Sequence, residues 1–280
     1  MKERFYMTTT ITREEIINEL KIKGYNAISH DVVKNGVTLQ GITLQTESNI
    51  SPTVYLENLL EIFSDFDDIV NKVINIFEEN QCIDIDISLF SNRDFILNNL
   101  YIGLQKRSDE QLIKRTCEFD DLEQYLYIKG NINYDLWSVK LNSAIMKNAD
   151  LTLNEVWESG FKNTFAEDET VIENMSSVIN DICDTTIFPP LPMYIITNRC
   201  KAKGSIQIFD KVKIMEWVNS LPMKPSRIIC IPSSIHEFIL IPTADEDIDL
   251  EIFNNMVCEV NETEVDATEQ LSSHCYVLTL

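Results

Sequence analysis

Glycine is scarce in this chain. Seven glycines occur singly in 280 residues, and none forms a G-x-G-x-x-G run, a Walker loop or a G-x-S-x-G elbow. Phosphate cradles and nucleophile elbows need closely spaced glycines, so the common dinucleotide, P-loop and hydrolase fingerprints are excluded. Histidine is scarcer still: His30, His236 and His274 have no characteristic spacing and give no zinc signature. The seven cysteines are odd in number and never stand as C-x-x-C, which fits reduced cytosolic thiols better than a disulfide framework. No apolar stretch approaches the ~20 residues of a membrane span, and MKERFYMTTTITREE has no apolar core of a secretion signal. A cytoplasmic protein is expected, with no membrane association.

Positive charge is also in short supply. Lys and Arg number 23 against 45 Asp and Glu, a formal net charge of -22. Nucleic acid and anionic membranes would repel such a chain unless a basic patch were segregated. The densest basic cluster is Arg199, Lys201 and Lys203, which reads as a solvated turn. A basic protein partner, or plain solubility, is the simpler reading of the charge; nucleic acid is not expected.

What is present is an acidic chain, 44% hydrophobic, able to fill a core. Thr12 and Glu15 form a capping box that opens a helix over residues 12–21. Residues 25–33 and 37–45 alternate as strands around Asn35-Gly36, the chemistry of a tight hairpin turn. Ser51-Pro52 reads as the cap and first residue of a further helix. Phe66, Ile69, Val70, Val73, Ile74 and Phe77 recur at helical spacing. Asp84 and Asp86 alternate with isoleucines as a strand with one wet face. Residues 100–106, 125–129 and 136–141 look extended and 109–115 helical. Thr152 and Glu155 cap a helix that would bury Val156, Trp157 and Phe161. The Pro189-Pro190-Leu191-Pro192 run suggests a boundary between an N-terminal α+β module, residues 1–186, and a C-terminal one, 187–280.

In the second module, residues 193–197, 205–209, 227–231, 237–241 and 275–280 read as strands. Residues 212–220, and a segment capped by Asp247, read as helices. The order β-β-α-β-β-α-β gives an α+β fold with an antiparallel or mixed sheet and packed helices. Two strand runs lack polar alternation, so that sheet should be covered on at least one face.

Several blocks together resemble the bacterial domain-of-unknown-function family 5688. They are ISHDVVKNGVTLQGITLQTESNISPTVYLENLLEIF, LTLNEVWESGFKNT, MYIITNRCKAKGSIQIFD, IPSSIHEFILIP, and MVCEVNETEV with LSSHCYVL. The C-terminal layout is similar, more weakly, to the YtpQ-like proteins. The resemblance implies no established activity.

Pro232-Ser233-Ser234-Ile235-His236-Glu237 joins two apolar strands and carries the densest reactive chemistry. Sequence neighbours rarely form a catalytic triad, since partners converge from separate elements. A turn whose hydroxyls and imidazole satisfy backbone groups is the plainer reading. Ser233, Ser234, His236, Glu237 and the nearby Asn198 are the candidate binding residues; no catalytic residue is assigned. His30-Asp31 reads as a solvated strand end. Asp245, Asp247 and Asp249 resemble a calcium loop, but its sixth and twelfth positions hold Leu250 and Met256, so calcium is rejected. No metal or cofactor is expected. The reading is a non-enzymatic binding or regulatory protein. The alternative is a hydrolase using Ser234, His236 or Glu237 with a partner such as Asn198 or Asn261.

Overall fold

The computed structural model describes residues 11–45, 51–80, 86–132, 135–183, 192–245 and 247–280. The fold is α+β, and the chain divides into two compact units, Met1–Asp86 and Ile87–Leu280. No helix among the described residues is long and apolar enough to cross a membrane.

In the first unit, α1 (Arg13–Ile22) starts at the expected capping box: Glu15 Oε2 accepts from Thr12 N at 2.9 Å and Thr12 Oγ1 from Glu15 N. Strands β1 (Ala27–Lys34) and β2 (Val37–Leu44) form the antiparallel hairpin. Asn35 and Gly36 both take positive φ, 48° and 79°, as a two-residue turn with the twist of its strands requires. The expected helix start at Ser51-Pro52 is corrected. The chain first extends as β3 (Thr53–Tyr55) along β2, where the Thr53 and Thr43 hydroxyls meet at 2.6 Å. Helix α2 (Leu56–Ile62) follows with no side-chain cap. Asp65 caps α3 (Phe66–Glu79), whose Ile69, Val70, Val73 and Phe77 bury against Ile16 and Leu20 of α1 and Ile42 and Leu44 of β2. Each such side chain contributes ~1.5–3 kcal/mol by leaving water. The strand expected around Asp84 falls largely on residues 81–85, outside those described.

The second unit begins with a 3-10 turn, Ile87–Ser91, and α4 (Arg93–Asn98). Strands β4 (Leu100–Lys106), β5 (Lys114–Thr116), β6 (Leu122–Ile132) and β7 (Asp135–Lys140) form an antiparallel sheet. The long β6 pairs β4 on one side; on the other it pairs β5 and then β7 in succession. The helix expected over residues 109–115 is corrected to a loop running into β5. Side-chain bonds hold that loop: Glu123 Oε1 accepts from Ser108 N at 3.2 Å and from Gln105 Nε2 at 2.9 Å, and Lys140 pairs Glu110 at 2.9 Å. A helix there would pull Ser108 and Glu110 off these partners.

Helices α5 (Ser143–Asn148) and α6 (Leu153–Lys162) come next, α6 with the expected Thr152–Glu155 box. Val156 is buried, but Phe161 is 56% exposed, contrary to expectation, and lies against Phe165. After a π-helical turn (Asn163–Glu167) come β8 (Thr170–Asn174), α7 (Met175–Cys183) and β9 (Tyr194–Asn198). A 3-10 segment, Gly204–Phe209, stands where a strand was expected; it is buried from Gly204 to Ile208. The remainder is α8 (Lys211–Ser220), β10 (Arg227–Ser234), β11 (Glu237–Thr243), α9 (Leu250–Thr263) and β12 (Tyr276–Thr279). Asp249, rather than Asp247, caps α9.

The second sheet is antiparallel with order β12-β10-β11-β9-β8. Residue 186 lies within this unit, between the paired strands β8 and β9; the proline run begins outside the described residues. One face of the sheet joins the main core, where Ile228, Cys230, Phe238 and Leu240 share a cluster with Ile102, Leu104 and Leu126 of the first sheet. The other face, through Ile229 and Ile231, packs against Val257 of α9. Cover on both faces explains why β10 and β11 read as unbroken apolar runs.

Candidate functional site

The two sheets of the second unit meet at a groove of about 190 Å³. Tyr127 and Lys129, two residues apart on β6, share one face of the strand. Trp137 and Ser138 of β7 extend that wall, Ser138 standing opposite Lys129. Cys200, Ala202 and Lys203, from the connection after β9, and His236, at the tip of the β10–β11 hairpin, complete the lining.

The connection after β9 is held from beneath. Asn198 is 1% exposed: its amide donates to Asp168 Oδ2 at 2.7 Å and to Ala202 O at 2.9 Å, and its Oδ1 accepts from Ala202 N. Asp168 also pairs Lys129 at 3.4 Å and accepts a weak bond from the Cys200 thiol at 3.6 Å. Asn198 therefore positions groove residues rather than lining the groove. Of the basic cluster, Arg199 pairs Glu169, while Lys203 lines the groove and lies 5.4 Å above the Tyr127 ring. The second groove cation, Lys129, lies 4.0 Å over the Tyr101 ring.

His236 is fixed on both ring nitrogens. Its Nδ1 accepts from Lys203 N at 3.1 Å, and its Nε2 faces Glu269 Oε1 at 3.3 Å. A backbone N–H can only donate, so the ring proton of this tautomer sits on Nε2 and donates to Glu269. Ser234 Oγ accepts from the backbone N of His236 at 3.1 Å, and Ser233 donates to Glu237 at 3.4 Å. Ser233 lines a different, smaller cavity of about 60 Å³ beside Met256 and Val260. The hairpin thus brings His236 to the groove and turns Ser233 elsewhere, and Ser234 serves its turn.

Tyr127 went unmarked in the sequence. It is 4% exposed and lines the groove. Burial, and after it the neighbouring Tyr125, Asp168 and Cys200, pushes its phenol well above the ordinary range, so the hydroxyl remains a donor. Its only sequence signal was β6 alternation that leaves a phenol on the same face as Lys129.

A second cluster also went unmarked. Asp121 accepts from Ser272 Oγ at 2.8 Å and from the Tyr276 hydroxyl at 2.6 Å; His274 Nδ1 lies 3.0 Å from Ser272 Oγ. Asp121 meets the neighbouring Ser272 and His274 from a distant part of the chain. Ser272 is 3% exposed, and its oxygen already accepts from His274 N. This arrangement ties the C-terminal strand to the start of β6 and leaves no approach for a substrate carbonyl.

No curated protein and no solved structure matches this chain. One family model does, along residues 7–279. The chain belongs to that family, the family of unknown function DUF5688.

Proposed function

We propose that this chain is a non-enzymatic binding protein that takes a small ligand in the groove beside His236. The observation that carries the reading is the groove itself: about 190 Å³, walled by Tyr127 and Trp137 and edged by Lys129, Lys203 and His236, with side chains drawn from β6, β7, the connection after β9 and the β10–β11 hairpin. A hydrolase built on the Pro232–Glu237 segment is the weaker reading. His236 has neither ring nitrogen turned to a hydroxyl of that segment, and Ser234 accepts a backbone N–H.

The test is a small-molecule thermal-shift screen, with hits measured again on Tyr127→Phe. That substitution removes one oxygen and leaves the ring. Hits should weaken about tenfold, the ~1.4 kcal/mol of one bond. Unchanged binding would overturn the reading. So would substrate turnover abolished by Ser234→Ala or His236→Ala.

A further inference from the structure

We infer that α9 is a docking surface for a basic amphipathic helix of a partner protein. The surface is separate from the groove, because α9 covers the face of the second sheet opposite the main core. At about 3.6 residues per turn, Ile252, Met256 and Val260 form one row along the helix. All three are exposed, Ile252 at 61%, while Phe253 and Val257 beside them pack on the sheet. The row runs into a cavity of about 60 Å³ between α9 and the sheet, lined by Met256 and Val260 with Met193, Ile231 and Ile239. An exposed apolar row beside an apolar hollow is the relief into which the i, i+4 ridge of another helix packs. Methionine at the centre of the row adapts its shape to what covers it. The helix is a fixed platform: Asn254 Oδ1 accepts from Cys275 N at 2.9 Å, and the Asn261 amide donates to Ser272 O at 2.8 Å.

Charge names the occupant. Residues 245–269 hold ten Asp and Glu and no Lys or Arg, and the last Lys or Arg of the chain is Arg227. On α9 itself, Glu251, Glu259 and Glu262 follow the apolar row on the side away from the sheet. Each is exposed, and none has an ion-pair partner among the described residues. Helix stability does not explain these acids. The C-terminal end of a helix attracts cations, yet α9 has no basic residue in its last turn and carries Glu259, Glu262 and Glu264 toward that end, where a carboxylate opposes the helix dipole. A cationic partner offsets that cost. An apolar row edged by unpaired carboxylates complements a helix whose apolar face is bordered by Lys or Arg. A second copy of this surface would set carboxylate against carboxylate, and an anionic membrane would be repelled. An extended segment would bring backbone N–H and C=O groups that a helix face cannot pair, whereas a helix arrives with its own already bonded.

The experiment uses the full chain and three labelled peptides. The first is a helical Leu/Lys peptide with leucines at i, i+3, i+4 and i+7. The second replaces its Lys with Glu, and the third keeps its composition but scrambles the periodicity. Affinity is read by fluorescence anisotropy at low and high salt. The amphipathic Leu/Lys peptide should bind at least about tenfold more tightly than either control, about 1.4 kcal/mol, and weaken as salt rises. Met256→Lys, at an exposed position, should lower its affinity about tenfold with the melting temperature retained. Glu259→Gln with Glu262→Gln, which keeps the shape and removes the charge, should weaken binding and flatten its salt dependence. Met223→Lys adds the same charge at an exposed apolar position outside α9 and should leave the affinity within about twofold of the wild type. Equal binding of the scrambled peptide would overturn the apolar row as the contact, and equal binding of the Glu peptide the basic class. Binding left unchanged by both Met256→Lys and the Gln pair would overturn the assignment to α9. Where Met256→Lys lowers the melting temperature, the Gln pair alone decides. A dimer in sedimentation that Met256→Lys dissolves would give the surface to a second copy and overturn the partner class.

Discussion

Gly204→Ala tests how the groove is held together. A methyl added at Gly204 would lie 2.3 Å from Thr197 Oγ1, 2.6 Å from Asn198 N and 2.7 Å from His236 O. Two of these are backbone atoms of β9 and of the β10–β11 hairpin, so no side-chain rotation relieves the overlap. Ordinary contact begins at 3.4 Å, so the neighbours must give by about 0.7 to 1.1 Å. The Thr197 hydroxyl donates to His236 O at 2.8 Å, and the methyl intrudes on both partners. Overpacking of this kind costs roughly 1–3 kcal/mol, and the displaced hydrogen bond adds ~1 kcal/mol, together about 2–4 kcal/mol. For a unit of this size each kcal/mol shifts the melting temperature by about 2–4 °C, so a fall of roughly 5–15 °C is expected. Trp137, Trp157 and Trp217 all belong to Ile87–Leu280, so tryptophan fluorescence reports unfolding of that unit alone. A melt within ~1 kcal/mol of the wild type, the range of unremarkable surface substitutions, would show that the 3-10 segment is not wedged between the two strands. The account of how Lys203 and His236 are positioned would then fail.

The buried phenols set an alkaline limit. Burial above all raises Tyr125 and Tyr127, while unfolded phenols titrate near pH ~10. Above that pH the folded chain holds protons that the unfolded chain has lost, so stability is whole below pH ~10 and falls as pH rises, by up to ~1.4 kcal/mol per pH unit for each group. An ultraviolet phenolate titration should show these tyrosines ionising only as the chain unfolds; early, reversible ionisation of all nine tyrosines would contradict their burial. Asp121 gives a graded test. Asp121→Ala leaves the Ser272 and Tyr276 hydroxyls without their acceptor and should cost ~2 kcal/mol in a denaturant melt, with Asp121→Asn between it and the wild type. Equal melts for all three would mean that water serves these hydroxyls as well as the carboxylate does.

Local chemistry explains which elements were legible in the sequence. Thr12 with Glu15, Thr152 with Glu155, and Asn35-Gly36 each satisfy backbone groups within a few residues, so the pattern is the structure. The α3 stripe is legible for the same reason, since its period is set by its own helix. Misreadings occur where a distant partner overrides the local pattern. Thr53 is drawn into β3 by β2, through Thr43 ten residues earlier in the chain. Ser205-Ile206-Gln207-Ile208-Phe209 alternates like a strand, yet Gln207 is buried and bonded to Thr170 at 2.7 Å and to the Thr164 carbonyl at 3.1 Å, and the segment coils to reach both. Neither partner is visible from within the five residues.

The groove shows the same division at the level of function. His236 stood out because it sits beside Ser233, Ser234 and Glu237 in the sequence, but adjacency in a hairpin sends neighbours to opposite faces and different cavities. What surrounds His236 in space comes from β6, β7 and the connection after β9, which meet at the tip of the β10–β11 hairpin, next to the register irregularity between Pro232 and Ser234. Asn198 drew attention as a polar residue near a basic turn; its amide is spent on Asp168 and Ala202, and its effect on the groove runs through the backbone it holds. Tyr127 drew none, because a tyrosine among Tyr125, Leu126 and Ile128 is most simply core, and the residue is indeed buried. What separates a groove-lining tyrosine from a core one is whether an open space meets it, and that is a property of the fold around a residue, not of the residue itself.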